Sequence, residues 1–374
     1  MDYSYNNAPA SAPGQLPMPS QGIPFEARPD QGFIDWLVNR SGGALAFTTY
    51  QAGVLALFSW TGKQVSVFLR RFPKVMGLDA DADRLLLATR NDLMVFGNSK
   101  VLANNFREPG RYDALYLPRA SYHYPDISVH DCAFGKDGIW FVNTRFSVLC
   151  HPSDTHTFEP VWRPPFVDDL APEDRCHLNG LAMRDGEPAF VTALGRTNTA
   201  GGWRDNKVSG GIVLHVPSGD IVADGLAMPH SPRWHAGRLY VLNSGAGELL
   251  CINPDSGSRD IVCRLQGYLR GLSFAGQYAI VGLCQIREER VFGGMPVQEV
   301  YDKLLCGIAI VDLISGKQVG FLEIISGCTE IFDVRVLTGQ QRPAILNLEQ
   351  PDINDAISVP GAYYWLRPEN EIKD

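Results

Sequence analysis

Three histidines, His130, His177 and His230, lie at or within three residues of a short apolar motif that recurs along the chain. If the chain folds so that successive copies of the motif face one axis, three imidazoles converge. Such a set would hold a transition metal. No H-x-x-x-H spacing accompanies them, so a metal needs the tertiary fold to assemble its ligands. Asn179, Asp131, Glu330 and Asp333 fall in the same settings. Their oxygens suit a hard divalent cation, whose bound water would attack an ester or lactone. The other chemistry on offer is cationic. Arg233 stands where the other motif copies carry Leu78, Cys132, Leu181, Leu272 and Val334. A charge at an apolar site must be paired or face a cavity, and Asp131 and Asp333 are the natural partners. Arg270 opens its motif copy, and Arg287 begins an R-E-E-R run after the next strand. Guanidinium groups around an opening suit a carboxylate or phosphate ligand, and equally suit ion pairs between structural units.

The elements that must position these residues are short strands. The motif reads MGLDA at 76–80, HDCAF at 130–134, NGLAM at 179–183, SPRWH at 231–235, RGLSF at 270–274 and FDVRV at 332–336. Its copies are 39 to 62 residues apart, and β-rich stretches such as RLLLATR and GIWFVNT follow most of them. Out of phase with it runs a hairpin signal: TGKQV at 61–65, GNSKV at 97–101, SGDIV at 218–222, SGSRDIV at 256–262 and SGKQV at 315–319, with HPSDTHTF at 151–158 as a looser case. Gly, Ser, Asp and Asn there supply the backbone geometry of tight turns. A period of about 50 residues with four strands per unit predicts an all-β propeller of six blades. The 43–71 segment has outer strands but no motif, so one blade is expected to be completed by both chain ends. RPAILNL at 342–348 is left over, which keeps seven blades as the alternative. FIDWLVNR at 33–40 reads as a short helix plugging one face.

Two long insertions carry further candidates. The 195–211 segment holds Trp203, Arg204, Asp205, Asn206 and Lys207 between glycines, and 285–307 follows the fifth motif. Long loops in a compact domain are often functional. An exposed Trp203 beside Arg204 would suit a sugar, peptide or aromatic ligand. The tyrosine-rich stretch 108–126 offers a third rim.

Composition narrows the field. The chain has 374 residues with a net charge of -8, which argues against a general nucleic-acid binder. Its 37 glycines and 25 prolines imply frequent turns. No apolar run reaches the roughly 18 residues of a membrane span, and the start lacks a secretory signal. The eight cysteines form no C-x-x-C pair and read as buried free thiols of a cytoplasmic protein. Residues 1–30 read as a disordered arm and 31–374 as the propeller. G-x-S-x-G, P-loop and H-E-x-x-H patterns are missing.

Two resemblances add to this. NGLAM at 179–183 resembles a strand of the senescence-marker/gluconolactonase type of six-bladed propeller, which implies a cation-ligating role for Asn179. The chain has no matching N-terminal Glu strand and no further Asn ligand. Over a far greater length, AFTTYQAG (46–53), VTALG (191–195), GGWRDNK (201–207), MPHSPRWHAGRLYVLNSGAGEL (228–249), LRGLSF (269–274), VGLCQIRE (281–288) and EIFDVRVL (330–337) resemble a family of bacterial conserved hypothetical proteins. Its members occur alone or fused to tetratricopeptide repeats. That resemblance implies a cytoplasmic propeller and supplies no reaction. On the matching positions it singles out Trp203, Arg204, His230, Arg233, Arg270 and Arg287.

Three functions are therefore expected to compete. The first is binding of a small anionic, sugar or peptide ligand at the mouth of a central channel by Trp203, Arg204, Arg233, Arg270 and Arg287. The second is a divalent-metal enzyme, hydrolase or oxidoreductase, on His130, His177, His230, Asn179, Glu330 and Asp333. The third is a scaffold for a protein partner.

Overall fold

A computed structural model describes residues 25–286 and 293–366. Six small antiparallel sheets are arranged around one axis as a six-bladed β-propeller. Each of the six motif copies forms the innermost strand of a blade. Blade I begins with Leu78–Ala80, blade II with Val129–Gly135 and blade III with Leu178–Arg184. Blade IV begins with Pro229–His235, blade V with Tyr268–Ala275 and blade VI with Asp333–Thr338. Each sheet then runs outward through three further strands.

Blade VI takes its inner strand from the C-terminal part and its outer three, Gly43–Thr49, Val54–Trp60 and Val65–Arg71, from the N-terminal part. The register joins Thr48 to Asp333 and Gly43 to Thr338. Closure of the ring by both ends is thus as the sequence implied.

The burial pattern follows from this geometry. A second strand is covered on both faces by neighbouring blades, so Gly43–Thr49 is buried at all seven positions and Arg84–Ala88 at its last four. Outermost strands such as Arg259–Arg264 face solvent and carry charge. The core lies between blades: Phe47, Phe58, Ile308, Ile310 and Leu322 interlock blades V and VI, and Leu55, Leu57, Leu78, Leu85 and Leu87 interlock VI and I. All eight cysteines are free and five are buried.

Several local expectations change. The leftover segment contributes Pro343–Ile345, which pairs in parallel with the outer strand Ala114–His123 of blade I, so it extends an existing sheet and does not start a seventh. Glu26–Pro29, inside the expected arm, pairs with Lys317–Ser326 as a fifth strand of blade V; residues 1–24 lie outside the described residues. The helix at Gln31–Asn39 is present, N-capped by the Asp30 side chain. It packs Phe33, Trp36 and Leu37 into the wedge between blades V and VI and does not plug a face. GNSKV is not a hairpin: Ser99 caps the short helix Lys100–Ala103, which interrupts blade I before its fourth strand. The 108–126 stretch forms that outer strand, with Tyr116 fully buried, and only its end approaches the axis. Among the described residues no helix is long and apolar enough to cross a membrane.

Candidate functional site

An innermost propeller strand has no neighbour on its axial side, so its free N–H and C=O groups need other partners. Here each inner strand hands one side-chain hydrogen bond to the next blade. Asp79 Oδ2 accepts from Phe134 N at 2.9 Å and Asp131 Oδ2 from Leu181 N at 2.9 Å. Asn179 Nδ2 donates to Pro229 O at 3.0 Å, and Ser231 Oγ accepts from Gly271 N at 3.0 Å. Ser273 Oγ accepts from Val336 N at 3.2 Å, and Asp333 Oδ2 accepts from Leu78 N at 3.2 Å. The circuit is complete over all six blades.

Two guanidinium groups neutralise the carboxylates of this ring. Arg233 Nη1 lies 2.7 Å from Asp131 Oδ2, and its Nη2 lies 3.4 Å from Asp333 Oδ1. Arg335 Nη1 lies 2.9 Å from Asp333 Oδ1 and its Nε 3.3 Å from Asp79 Oδ1. Burial opposes the charge of Arg335, but Asp333, Asp79 and Asp131 outweigh it and raise its pKa. Asn179 is committed at both ends, since its Oδ1 also accepts from the Thr192 hydroxyl at 2.6 Å.

Next to this ring lies a cavity of about 200 Å³. Its wall is an arc of aromatic rings with a cation at each end. Arg204 stacks on Trp203 at 4.3 Å, Trp203 meets His177 at 4.5 Å, and His177 meets His130 edge-on at 4.9 Å. His130 meets Phe332 at 5.5 Å, and the Arg270 guanidinium lies 4.0 Å over the Phe332 ring. Tyr50 packs edge-on against Phe332, and Lys74, Met76, Ser128, Leu194, Met228 and His230 complete the lining.

Asp174 organises one end of the arc. Its carboxylate accepts from His177 Nδ1 at 2.9 Å and from Trp203 Nε1 at 2.9 Å, and it pairs with Arg204 at 3.4 Å. Nothing periodic marked Asp174 in the sequence, because it lies in the loop that enters blade III. Trp203 is only 3% exposed, so the expected exposed platform is a packed one. The 3₁₀ turn Gly202–Asn206 drives it into a cluster with Leu194, Met228, Tyr268, Met295 and Val297. Both long insertions therefore meet on this face. Lys74, also unmarked by the motifs, pairs with Asp126 at 2.9 Å.

Arg270 differs from every other central cation. It is 8% exposed and makes no ion pair among the described residues, and its Nε, like that of Arg233, is buried without a hydrogen-bond partner. Its position is rigid: Gly271 has φ +80°, and a Cβ there would meet Asp333 Cα at 2.8 Å, so the backbone beside Arg270 is pressed against blade VI. Glu330 is the nearby carboxylate. It spends Oε1 on the Gln51 N–H at 2.7 Å. Burial pushes its pKa up to about 7 even though Arg270 pulls the other way. His130 and His230 are held well below the usual histidine range, first by burial and then by neighbouring charges that include Arg270.

The fold thus brings Trp203, Arg204, Arg270, His130, His177 and His230 to one cavity, while Arg233, Asn179 and Asp333 lie in the ring below it. A smaller space bordered by His130, His230, Arg233, Arg270 and Asp333 shares residues with both levels. Glu330 stands beside the cavity, two residues from Phe332 of its lining, and Arg287 lies outside the described residues. Among the described residues, no group of three or more His, Cys, Asp or Glu is spaced to hold a metal ion.

One solved structure agrees with this architecture. A structure titled "Crystal structure of Nidogen/Laminin Complex" aligns with a TM-score of 0.50 at 12% identity, covering 79% of this chain and 99% of that one. A protein of unknown function from Bacteroides caccae aligns with a TM-score of 0.39 at 10% identity, covering 78% and 97% respectively. No match was found among the curated proteins. Residues 31–346, the whole ring from the Gln31 helix to the strand that edges blade I, match the domain of unknown function DUF4915, and the chain belongs to that family.

Proposed function

We propose that the channel mouth binds a small organic anion. One observation carries this reading: Arg270 is a buried guanidinium with no counter-ion among the described residues, lying on the floor of a cavity. Leaving a charge buried and unpaired costs several kcal/mol, roughly 3–5 by the effect of breaking buried pairs. A fold that tolerates the cost gains a preformed anion receptor, because a carboxylate or phosphate oxygen would complete the guanidinium with charge-assisted hydrogen bonds. The ring below supports this role by contrast, since Arg233 and Arg335 each pair with at least two carboxylates and Arg270 pairs with none among the described residues. A cavity of about 200 Å³ falls short of the roughly 300–1,000 Å³ typical of drug-sized ligands, which favours a small molecule over a peptide.

The test is thermal stabilisation and calorimetric titration with a panel of small carboxylates and phosphate. At a ligand concentration about 100 times Kd the expected stabilisation is near 2.7 kcal/mol. Arg270→Gln should abolish it. If no member of the panel binds the wild-type protein, the reading falls.

A second reading, a metal-dependent enzyme, draws support from His130 and His230. Each engages Nδ1 with a backbone carbonyl, Ser128 O at 3.0 Å and Met228 O at 2.9 Å. That is how a ligating histidine is usually oriented. The adjacent Arg270 charge weighs against a cation between them.

A further inference from the structure

We infer that the anion on Arg270 is one that carries its own hydroxyl or N–H donors, an α-hydroxy acid being the smallest example. This rests on the anion-binding reading above and deepens it.

The argument begins with tautomers. A backbone carbonyl only accepts hydrogen bonds, so the contacts of His130 Nδ1 to Ser128 O and of His230 Nδ1 to Met228 O place a proton on each Nδ1. The hydroxyl neighbours agree. Thr144 Oγ1 lies 2.8 Å from His130 Nδ1 and gives its own proton to Leu178 O at 2.6 Å, so it receives from the ring. Ser244 Oγ stands 3.1 Å from His230 Nδ1 in the same way. His230 is buried and His130 half-buried, both beside the Arg270 cation, and desolvation with the neighbouring charges keeps the rings neutral. Each therefore carries a lone pair on Nε2, and neither Nε2 has a hydrogen bond within the described residues.

Both rings line the mouth cavity together with Arg270. A simple anion such as acetate would satisfy the guanidinium and leave two acceptors facing acceptors. A ligand with a hydroxyl or N–H near its anionic group satisfies both kinds of group at once. A divalent metal is the other species that would take imidazole lone pairs, but the guanidinium beside these rings would repel a dication. The apolar remainder of the wall, Phe332, Met76, Leu194 and Met228, leaves space for a short carbon skeleton.

The experiment is calorimetric titration of the full chain with matched acids: propionate against lactate, and succinate against malate and tartrate. The hydroxylated member of each pair should bind at least tenfold tighter, because a site with unpaired polar groups discriminates strongly against a ligand lacking the complement. Equal binding within each pair overturns this inference and leaves the Arg270 reading standing. Binding of none of the acids removes both. His230→Phe should erase the preference while keeping anion binding, whereas Arg270→Gln should lose both members of each pair. The wild-type comparison holds even if a variant fails to fold. Stoichiometric Zn²⁺ uptake by the wild type, lost in His230→Phe, would also overturn the inference.

Discussion

Arg233 and Asp131 are 102 positions apart in the chain and meet at 2.7 Å on the propeller axis. The pair is nearly dry, with the Asp131 side chain 4% and the Arg233 side chain 13% exposed. Removing one partner of such a pair leaves an uncompensated charge, at about 3–5 kcal/mol. Arg335 still serves Asp333 and partly Asp131, so Arg233→Met should fall near the low end, about 3 kcal/mol. Arg270→Met has no such partner to orphan. It loses a stacking contact on Phe332 worth about 0.5–2 kcal/mol and sheds a desolvated charge that costs roughly 3–5 kcal/mol, so the variant should be more stable than wild type by about 1–4 kcal/mol. Urea denaturation of the two variants checks the contrast, and equal losses would count against the distinction between a paired and an unpaired cation.

Glu330 makes stability depend on pH in a definite direction. Its folded pKa of about 7 stands above the ordinary 4.5, so the folded chain holds this proton more tightly than the unfolded one. The contribution is unchanged below about pH 4.5, falls as pH rises toward 7, and is flat above. At about 1.36 kcal/mol per pKa unit the span is on the order of 3 kcal/mol. Glu330→Gln keeps an acceptor for Gln51 N and removes the titration. Its advantage over wild type should be greater at pH 8 than at pH 4.5, as read from denaturation midpoints. A pH-independent difference between the two proteins would contradict the assignment.

Trp203 is expected to behave as a core residue. Its ring is buried against Leu194, Met228 and Met295, and its N–H is spent on Asp174. Trp203→Ala should cost about 3–5 kcal/mol and loosen the arc that includes His177. Denaturation measures the first effect, and loss of anion-induced stabilisation reads the second. A surface residue would lose under about 0.5 kcal/mol.

Much of this was legible in the sequence, for reasons that particular residues make plain. The motif was visible because an inner strand is flanked by blades on both faces, so Leu78, Cys132, Leu181, Leu272 and Val334 repeat at one register. Arg233 stood out as a break in that register, and Asp131 and Asp333 are the partners it meets. Arg335 escaped notice because it occupies the variable fourth position of its motif. A signal was present all the same: the fourth position of the adjacent blade is Asp79, and the two are 3.3 Å apart. Pairing charges at equivalent positions of neighbouring copies would have found them. Asp174 and Lys74 lie in loops between blades and Tyr50 in the turn joining two strands of blade VI, where no period operates. The burial of Trp203 was hidden because a Gly-flanked insertion reads as exposed until its docking surface, made of two other blades, is known. GNSKV misled because Ser-Lys after a strand caps a helix as readily as it turns a hairpin.

The origin of blade VI from two distant pieces has a consequence for biosynthesis. Thr48 must wait for Asp333, its partner 285 residues downstream. At about 5–20 residues per second a ribosome needs roughly 15–60 s to supply it. For that interval the nascent chain presents open sheet edges at both termini of an incomplete annulus, and Phe332, on which Arg270 rests, has not yet emerged. The receptor cannot exist in any partial translation product, so ligand capture can begin only after the last blade has clasped the first-made strands.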